Sequence, residues 1–286
     1  HECEILSKPL NTLIKTLPKA INDSKNLRHK LFSAELLGNG ADDVVLNLVY
    51  HKRLDEAWTV AATALHREFG IQITGRSKGE LKVIGRDYVT RSFTVGGEKL
   101  RYIIKQNCFS QPNGSVNEKM LSWAQDAASG EGDLIELYCG SGNFTVAFAK
   151  KYRRVFATEV VKEAIDAAKT NKELNGLENL YLGRISAEEA TQALGGEREF
   201  NRLSGINLQD FDFHTIFVDP PRSGLGQKGR EFAAGYDEII YISCNPATLK
   251  EDLESLTKTH KIEKFAVFDQ FGYTNHLECG VKLNRL

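Results

Sequence analysis

One segment near the middle of the chain constrains the fold most strongly, because a strand, a glycine turn, a helix and a second strand follow one another there. The apolar run Asp133–Tyr138 predicts a buried strand that leads into Cys139–Thr145 and a helix ending near residue 150. Gly140 and Gly142 let the backbone approach a ligand closely. This order of elements indicates an α/β domain that binds a nucleotide cofactor.

The second strand of this segment, Arg154–Thr158, is followed by Glu159, which stands 19 residues after Gly140. An acid at this distance is suited to bind a ribose diol. The third glycine of a dinucleotide fingerprint is missing, because Thr145 occupies its position. We therefore expect a cofactor that has an adenosine but no pyrophosphate, and S-adenosyl-L-methionine meets that description.

A later strand-to-helix junction places a cysteine at a strand end. Glu238–Ile242 predicts a buried strand, and Asn245 and Pro246 suit the N-cap and the first position of a helix. Cys244 lies between them, where a helix N-terminus favours a thiolate by about 0.3–1 kcal/mol and lowers a thiol pKa by roughly one unit. Free cysteines are also common in protein cores, so a buried, unreactive thiol is the equally open alternative.

Two acids lie at predicted strand ends. A strand beginning at Thr215 ends in Asp219, at the carboxyl edge where open α/β sheets bind ligands, although the two prolines that follow could be only a structural stop. Phe265–Phe268 and Leu277–Leu283 are predicted closing strands, and Glu278 interrupts the second of them. A buried carboxylate is costly unless it is paired, so Glu278 has either a partner or a function.

The first third of the chain has an α+β pattern. Amphipathic helices are predicted over Lys8–Ile21 and Leu54–Phe69, and a hairpin joins Leu31–Leu37 to Val44–Tyr50. Short strands are expected around Ile71, Leu81, Tyr88, Phe93 and Tyr102. The predicted fold class is α/β, with a Rossmann-like domain over residues 107–286 preceded by a smaller α+β domain over residues 1–106.

Between Arg76 and Lys105, eight basic residues stand against three acidic ones, with three aromatic residues interleaved. Basic strands with exposed aromatic rings can hold phosphates and stack bases. The alternative is a solvated sheet face whose aromatic rings turn inward. The formal net charge of −1 excludes a globally basic nucleic-acid binder, so any such binding needs a local patch.

The composition indicates an ordinary globular protein, with 286 residues, 41% hydrophobic and 26% charged. No apolar run approaches the roughly 18 residues of a membrane span, so no membrane partner is expected. The five cysteines are odd in number and lack metal-ligand spacing, which favours a reducing cytoplasm and predicts no metal site. Because the chain begins with His-Glu-Cys-Glu rather than Met, we expect an N-terminal segment to be missing.

Five motifs spread over the chain resemble the tRNA (uracil-5-)-methyltransferase family, and they are Phe109-Ser-Gln-Pro-Asn113, Glu136-Leu-Tyr-Cys-Gly-Ser-Gly-Asn-Phe144, Phe217-Val-Asp-Pro-Pro-Arg-Ser-Gly-Leu225, Ile242-Ser-Cys-Asn-Pro-Ala-Thr-Leu249 and Phe268-Asp-Gln-Phe-Gly-Tyr-Thr-Asn-His-Leu-Glu-Cys-Gly280. Arg28-His-Lys-Leu-Phe32, Tyr50-His-Lys-Arg-Leu54 and Phe200-Asn-Arg-Leu-Ser-Gly-Ile206 resemble the bacterial enzyme that acts on the T-loop of tRNA. The resemblance implies C5 methylation of a T-loop uridine by a monomeric protein.

The resemblance also implies a role for particular residues. Cys244 is the implied nucleophile, which adds to C6 of uracil, and Glu278 the implied acceptor of the C5 proton. The target base must leave its stack to reach them. The residues expected to bind S-adenosyl-L-methionine are Gln111, Tyr138, Gly140, Asn143, Glu159 and Asp219, and those expected to bind RNA are Arg86, Arg101, Phe109 and Arg222.

Other functions remain possible on the sequence alone. A cytosine-5 methyltransferase usually has its nucleophile directly after a proline in the Asp-Pro-Pro region, where this chain has Arg222. A small-molecule methyltransferase leaves the basic N-terminal third unexplained. A ribosomal RNA uracil-5-methyltransferase and a non-catalytic RNA-binding module are the two remaining alternatives.

Overall fold

A computed structural model describes residues 3–286, which form two compact units. The first unit runs through Arg91 and includes Ile103–Asn107, and the second comprises Ser92–Tyr102 and Cys108–Leu286. The sequence analysis placed one boundary after residue 106, whereas the structure assigns residues 92–102 to the second unit. The reason is packing, because Phe93 and Tyr102 lie in the hydrophobic core of that unit.

The first unit contains a four-stranded sheet and three helices. Its elements are α1 (Lys8–Asp23), α2 (Lys25–Arg28), β1 (Leu31–Gly38), β2 (Val44–Tyr50), α3 (Glu56–Phe69), β3 (Gln72–Ser77) and β4 (Glu80–Ile84). The strand order is β1-β2-β3-β4, in which the predicted β1–β2 hairpin is antiparallel and β2 and β3 are parallel. The predicted α+β character of this part of the chain is confirmed.

The helices of the first unit begin and end where the sequence provides caps. The side chain of Asp55 accepts a hydrogen bond from the backbone N–H of Trp58 at the start of α3, and Gly70 ends this helix with a φ of 67°. On α1, the predicted apolar stripe buries Leu13, Leu17 and Ile21. These side chains and the fully buried Trp58 form one core cluster with strand β2.

A two-stranded ribbon lies in the sequence between β4 of the first unit and the helix at residues 114–127 of the second. It consists of β5 (Tyr88–Val95) and β6 (Glu98–Lys105), so the two strands predicted around Tyr88 and Phe93 are one continuous strand. Phe93 is 5% exposed and Tyr102 4%, which is incompatible with base stacking by these two rings. For both of them the inward-facing alternative is correct.

The second unit has a seven-stranded sheet covered by helices. Its remaining elements are α4 (Gly114–Ala127), β7 (Asp133–Leu137), α5 (Asn143–Ala149), β8 (Val155–Thr158), α6 (Lys162–Leu174), β9 (Leu180–Gly183), α7 (Ala187–Leu194), β10 (Phe213–Val218), α8 (Gly226–Ala233), β11 (Glu238–Ser243), α9 (Pro246–Leu256), β12 (His260–Phe268) and β13 (Glu278–Arg285). The strand order is β12-β13-β11-β10-β7-β8-β9. Strands β7 to β11 are parallel, and β13 is antiparallel to both its neighbours.

This sheet confirms the predicted α/β fold class and fixes the position of the candidate site. The strand order reverses between β7 and β10, and ligands of open α/β sheets bind beyond the carboxyl ends of the strands at such a point. Strands β7, β8 and β11 are buried along their whole length, as expected for parallel strands covered on both faces. Among the residues the structure describes, no helix is long and apolar enough to cross a membrane.

Candidate active site

The glycine turn after β7 has the backbone that its sequence predicts. Gly140 has a φ of 54° and Gly142 a φ of 82°, values that glycine adopts without steric cost. Tyr138 precedes the turn with a φ of 63°, which is uncommon for a residue with a side chain. A Cβ atom on Gly140 would contact nothing within 4 Å, so this position requires glycine for its conformation alone.

Glu159 is held against this turn at the end of β8. Its Oε2 accepts a hydrogen bond of 3.1 Å from the backbone N–H of Gly140, and its Oε1 accepts bonds from the N–H groups of Val160 and Val161. A carboxylate has about four acceptor positions, so one remains for a ligand hydroxyl. The acid is therefore fixed in place at the edge where a ribose is expected.

The amide side chains of Gln111 and Asn143 differ in how many of their hydrogen-bonding groups have a partner. Gln111 is 6% exposed, and no described residue donates a hydrogen bond to its Oε1. A buried polar atom without a partner is costly, so this carbonyl suits a polar ligand group. The side chain of Asn143 instead exchanges two hydrogen bonds with Asn117, of 2.9 and 2.8 Å, and keeps one N–H and one lone pair free for a cofactor.

Asp219 follows β10 at the carboxyl edge, as predicted. Burial, followed by the charge of the nearby Glu278, raises the pKa of its carboxyl from 3.8 to about 8. A cationic ligand group placed here would be stabilised by the ionised form of Asp219. With Gln111 and Glu159, this acid provides groups that fit the amino acid and ribose parts of S-adenosyl-L-methionine.

The sheet register brings Cys244 and Glu278 together. Strands β11 and β13 are antiparallel, and Ser243 is paired with Cys279 at the end of the ladder. Cys244 follows Ser243 and Glu278 precedes Cys279, so the two residues lie opposite each other just beyond this pair. Glu278 is 1% exposed, and its Oε2 has no partner among the described residues. Burial raises the pKa of its carboxyl from 4.5 to about 7, against the opposing effect of Arg222.

The predicted junction around Cys244 is confirmed, but the net pKa of its thiol is not lowered. Asn245 is the N-cap of α9, with its Oδ1 accepting a bond from the N–H of Ala247, and Pro246 is in the first turn. The pKa of the Cys244 thiol is nevertheless raised, because burial and the acidic groups of Glu278 and Asp219 outweigh the groups that favour a thiolate. The helix N-terminus alone does not activate this cysteine.

Arg222 is the cation that counteracts these acids. Its charge lowers the pKa of both Cys244 and Glu278, and its Nη2 donates a 2.5 Å hydrogen bond to Nδ1 of His276. The sequence analysis assigned Arg222 only to RNA binding. Its place beside the thiol depends on long-range pairing of strands, which is a property that the local sequence does not reveal.

The other residues predicted to bind RNA are in different surroundings. Arg86 forms an ion pair of 2.5 Å with Asp43 and lies over the ring of Tyr88, so its charge is already compensated within the first unit. Arg101 is exposed, and Phe109 is 72% exposed. The ring of Phe109 is accessible to a partner, and its role in RNA binding stays a prediction.

The sequence analysis missed an aromatic and basic surface on the first unit. Phe32 is 68% exposed and contacts His51 edge to face, with ring centroids 4.8 Å apart. We call this surface the Phe32 patch, and it also includes exposed basic residues at the start of β1 and the end of β2, which are Arg28, His29, Lys30 and Arg53. These residues belong to two of the motifs that resemble the family, Arg28–Phe32 and Tyr50–Leu54. The sequence does not show that the two motifs lie side by side, which follows from the pairing of β1 with β2.

A Rossmann-like sheet with a glycine turn, a fixed acid and a cysteine–carboxylate pair at its carboxyl edge defines a class of enzymes that bind an adenosine cofactor. A family model described as tRNA (Uracil-5-)-methyltransferase matches residues 1–286. The chain belongs to the tRNA (uracil-5-)-methyltransferase family, and the predicted family and enzyme class are confirmed.

Curated relatives agree with this assignment. The chain is 49% identical to the tRNA/tmRNA (uracil-C(5))-methyltransferase of Cellvibrio japonicus, over 100% of this chain and 78% of the relative. It is 46% identical to the protein of the same name from Proteus mirabilis, over 98% of this chain and 79% of the relative.

Solved structures agree in fold. The Pyrococcus abyssi tRNA (uracil-54, C5)-methyltransferase, solved in complex with S-adenosyl-L-homocysteine, aligns with a TM-score of 0.73 at 22% identity, over 99% of this chain and 69% of that one. The M. jannaschii tRNA m1G37 methyltransferase aligns with a TM-score of 0.51 at 13% identity, over 97% and 78% of the two chains.

Proposed function

We propose that this chain methylates C5 of a uridine in the T-loop of tRNA through a covalent bond between Cys244 and C6 of the base. One observation carries the proposal: a thiol and a buried carboxyl whose Oε2 has no partner among the described residues lie next to each other, Cys244 directly after β11 and Glu278 at the start of β13. Nucleophile and base are the two groups that a methylation through a C6 adduct requires.

S-adenosyl-L-methionine is the methyl donor, and when bound it supplies an electrophilic methyl group. Glu159 accepts a hydrogen bond from a ribose hydroxyl, and Gly140 allows the close approach that this requires. Asp219 and the free carbonyl of Gln111 bind the polar end of the cofactor, while Tyr138 and Asn143 line the same edge of the sheet.

Cys244 begins the reaction by forming a bond to C6 as a thiolate. The addition turns C5 into the carbon of an enolate, which is nucleophilic enough to accept a methyl group, whereas C5 of free uracil is not. Because the thiol pKa is raised in the unliganded site, Arg222 is needed to favour the thiolate. Covalent catalysis thus divides one difficult step into easier ones.

Glu278 completes the reaction by removing the proton that C5 still carries after methylation. The electrons of the C5–H bond then form the C5–C6 double bond, and the C6–S bond breaks to return Cys244 as a thiolate. A base with a pKa of about 7 is well matched to proton transfer near neutral pH. The unpaired Oε2 of Glu278 leaves an acceptor position open for this proton.

The choice of tRNA rests on the relatives and on the surface of the chain. The relatives of 44–49% identity are named tRNA/tmRNA uracil-C5-methyltransferases. The Phe32 patch combines an exposed ring with cations, which is typical of surfaces that stack bases and bind phosphates. Phe109 and Arg101 extend the proposed RNA contacts to the second unit.

Methyl transfer to defined transcripts tests this function. With labelled S-adenosyl-L-methionine, an unmodified tRNA transcript should accept about one methyl group per molecule, and nuclease mapping should place it on a T-loop uridine. A transcript with that uridine changed to cytidine is the matched control and should accept none. Label in a ribosomal RNA fragment instead, or in neither RNA, would contradict the proposal.

A further inference from the structure

Helix α9 is attached to the loop that follows β10. The side-chain Nδ2 of Asn245 donates a 3.1 Å hydrogen bond to the carbonyl oxygen of Arg222. The hydroxyl of Thr248 lies 3.2 Å from the same oxygen and 3.1 Å from the carbonyl oxygen of Asn245, so its proton is shared between them. Two side chains of one helix thus converge on the backbone of Arg222.

A third attachment lies one turn further along the helix. Asp252 is 2% exposed, and its Oδ2 accepts bonds from the backbone N–H of Leu225 at 2.9 Å and from the hydroxyl of Tyr241 at 2.6 Å, while Arg230 donates to Oδ1. Gly224 has a φ of 75°, and a Cβ on it would lie 2.7 Å from this Oδ2. The loop can approach Asp252 this closely only because residue 224 is glycine.

The three attachments lie on one face of α9, because positions 245, 248 and 252 are separated by three and four residues. The same helix begins directly after Cys244. We propose that Asn245, Thr248 and Asp252 are positioning residues that hold the backbone of the Arg222 loop, and thereby the position from which the Arg222 side chain extends, relative to Cys244. The inference rests on the proposed function only in giving Cys244 its role as nucleophile.

The consequence of this arrangement is electrostatic. Cys244 faces three charged groups from two segments, namely Glu278 at the start of β13 and both Asp219 and Arg222 in the loop after β10. The guanidinium of Arg222 is also hydrogen-bonded to the ring of His276. Of these three charges, that of Arg222 favours the thiolate, whereas both acids oppose it. Loosening the loop from α9 should therefore reduce the fraction of Cys244 that is a thiolate at a given pH.

Alkylation of Cys244 by iodoacetamide measures that fraction without RNA or cofactor, since only the thiolate reacts. In Thr248→Val the Cys244 peptide should react about three- to ten-fold more slowly at pH 7 than in the wild type, which corresponds to a pKa rise of about half to one unit. The Cys3 peptide is the internal reference. Thr248→Ser should restore the wild-type rate because it keeps the hydroxyl.

Thr257→Val is the matched control. Its hydroxyl donates to the carbonyl of Leu253 at the far end of the same helix, so its loss should leave the reactivity of Cys244 unchanged. Asp252→Asn should act in the same direction as Thr248→Val, because it removes the negative charge that fastens Leu225 and Arg230. If Asp252→Asn fails to fold, the threonine variants still decide the question.

A double-mutant cycle separates an effect through Arg222 from a direct effect on the helix N-terminus. Arg222→Gln removes the guanidinium but keeps the backbone carbonyl that α9 binds. In that background Thr248→Val should cause no further slowing. Additive slowing, or a wild-type rate in Thr248→Val, would overturn the proposal, whereas failure of methyl transfer alone would contradict only the proposed function.

Discussion

At the scale of single residues, the buried carboxyl of Glu278 is a group that suits the proposed reaction but costs the fold stability. It is 1% exposed, one of its oxygens has no partner among the described residues, and its pKa is raised to about 7. A carboxyl with a raised pKa stabilises the fold fully below its unfolded pKa of 4.5, and this contribution is lost as the pH rises through about 7. The base of the reaction therefore destabilises the protein in the pH range where it acts.

Glu278→Gln should remove this penalty. The difference in the free energy of unfolding between variant and wild type should shift in favour of the variant by up to about 3 kcal/mol between pH 4.5 and pH 8. Urea unfolding at both pH values measures it. Glu254→Gln, on an exposed position of α9, is the control and should show no such shift. A constant difference across this range would contradict the raised pKa of Glu278.

The rate at which free methylated RNA is formed should rise with pH through about 7, because Cys244 and Glu278 both act in their ionised forms before the RNA is released and burial raises the pKa of each. Arg222→Gln should move the rising limb upward by about 0.5 to 1 pH unit, since the lost charge favoured both ionised groups. Single-turnover rates between pH 5.5 and 9 measure this. A profile that falls with pH, or that Arg222→Gln does not move, would exclude these roles.

At the scale of elements, local chemistry was enough to predict the junctions. The strand before Cys244, the N-cap at Asn245 and the helix after Pro246 all follow from residue types within a few positions of one another, and each is confirmed. The glycine turn after β7 is confirmed for the same reason, because positive φ at Gly140 and Gly142 is a local requirement.

The pairing of distant elements could not be predicted in this way. Strand β13 lies between β11 and β12 although it follows both in sequence, and this insertion is what brings Glu278 beside Cys244. The burial of Phe93 and Tyr102 likewise depends on a core formed by residues far along the chain. The spacing of apolar residues within a strand cannot show which face of that strand will be covered by elements that come later in the sequence.

The Phe32 patch gives an element-scale prediction for the β1–β2 hairpin. Phe32→Ala should weaken tRNA binding by about 1–3 kcal/mol with an unchanged salt dependence, because stacking releases no counterions. Arg53→Gln should instead reduce the slope of log K against log salt by about 0.7–0.9. Fluorescence anisotropy with labelled tRNA measures both.

Phe265→Ala is the matched control for this hairpin, since Phe265 is 57% exposed on β12 and belongs to no proposed RNA surface. It should leave tRNA affinity unchanged. Equal losses in Phe32→Ala and Phe265→Ala would show that the Phe32 patch has no specific role.

At the scale of the whole molecule, the proposed tasks are divided between the two units. Every proposed cofactor contact lies in the second unit, whereas the Phe32 patch lies in the first. Glu159→Ala should therefore weaken S-adenosyl-L-methionine binding by about ten-fold or more while tRNA affinity is kept, and Phe32→Ala should do the reverse. Calorimetry with each ligand measures this separation.

Glu163→Ala is the control for the cofactor measurement, because Glu163 is an exposed acid in the first turn of α6. It should bind the cofactor as the wild type does. If Glu159→Ala bound the cofactor normally, the ribose contact assigned to Glu159 would be wrong.

The covalent bond between Cys244 and the RNA base is the central claim, and trapping it is the most direct test. Glu278→Gln should form the bond, transfer one methyl group and then stall, because glutamine cannot take the C5 proton. With labelled S-adenosyl-L-methionine, a protein–RNA adduct carrying the label should survive denaturing electrophoresis, and Cys244→Ala and the double variant should give none. Normal turnover by Glu278→Gln, or continued methylation by Cys244→Ala, would contradict the covalent mechanism.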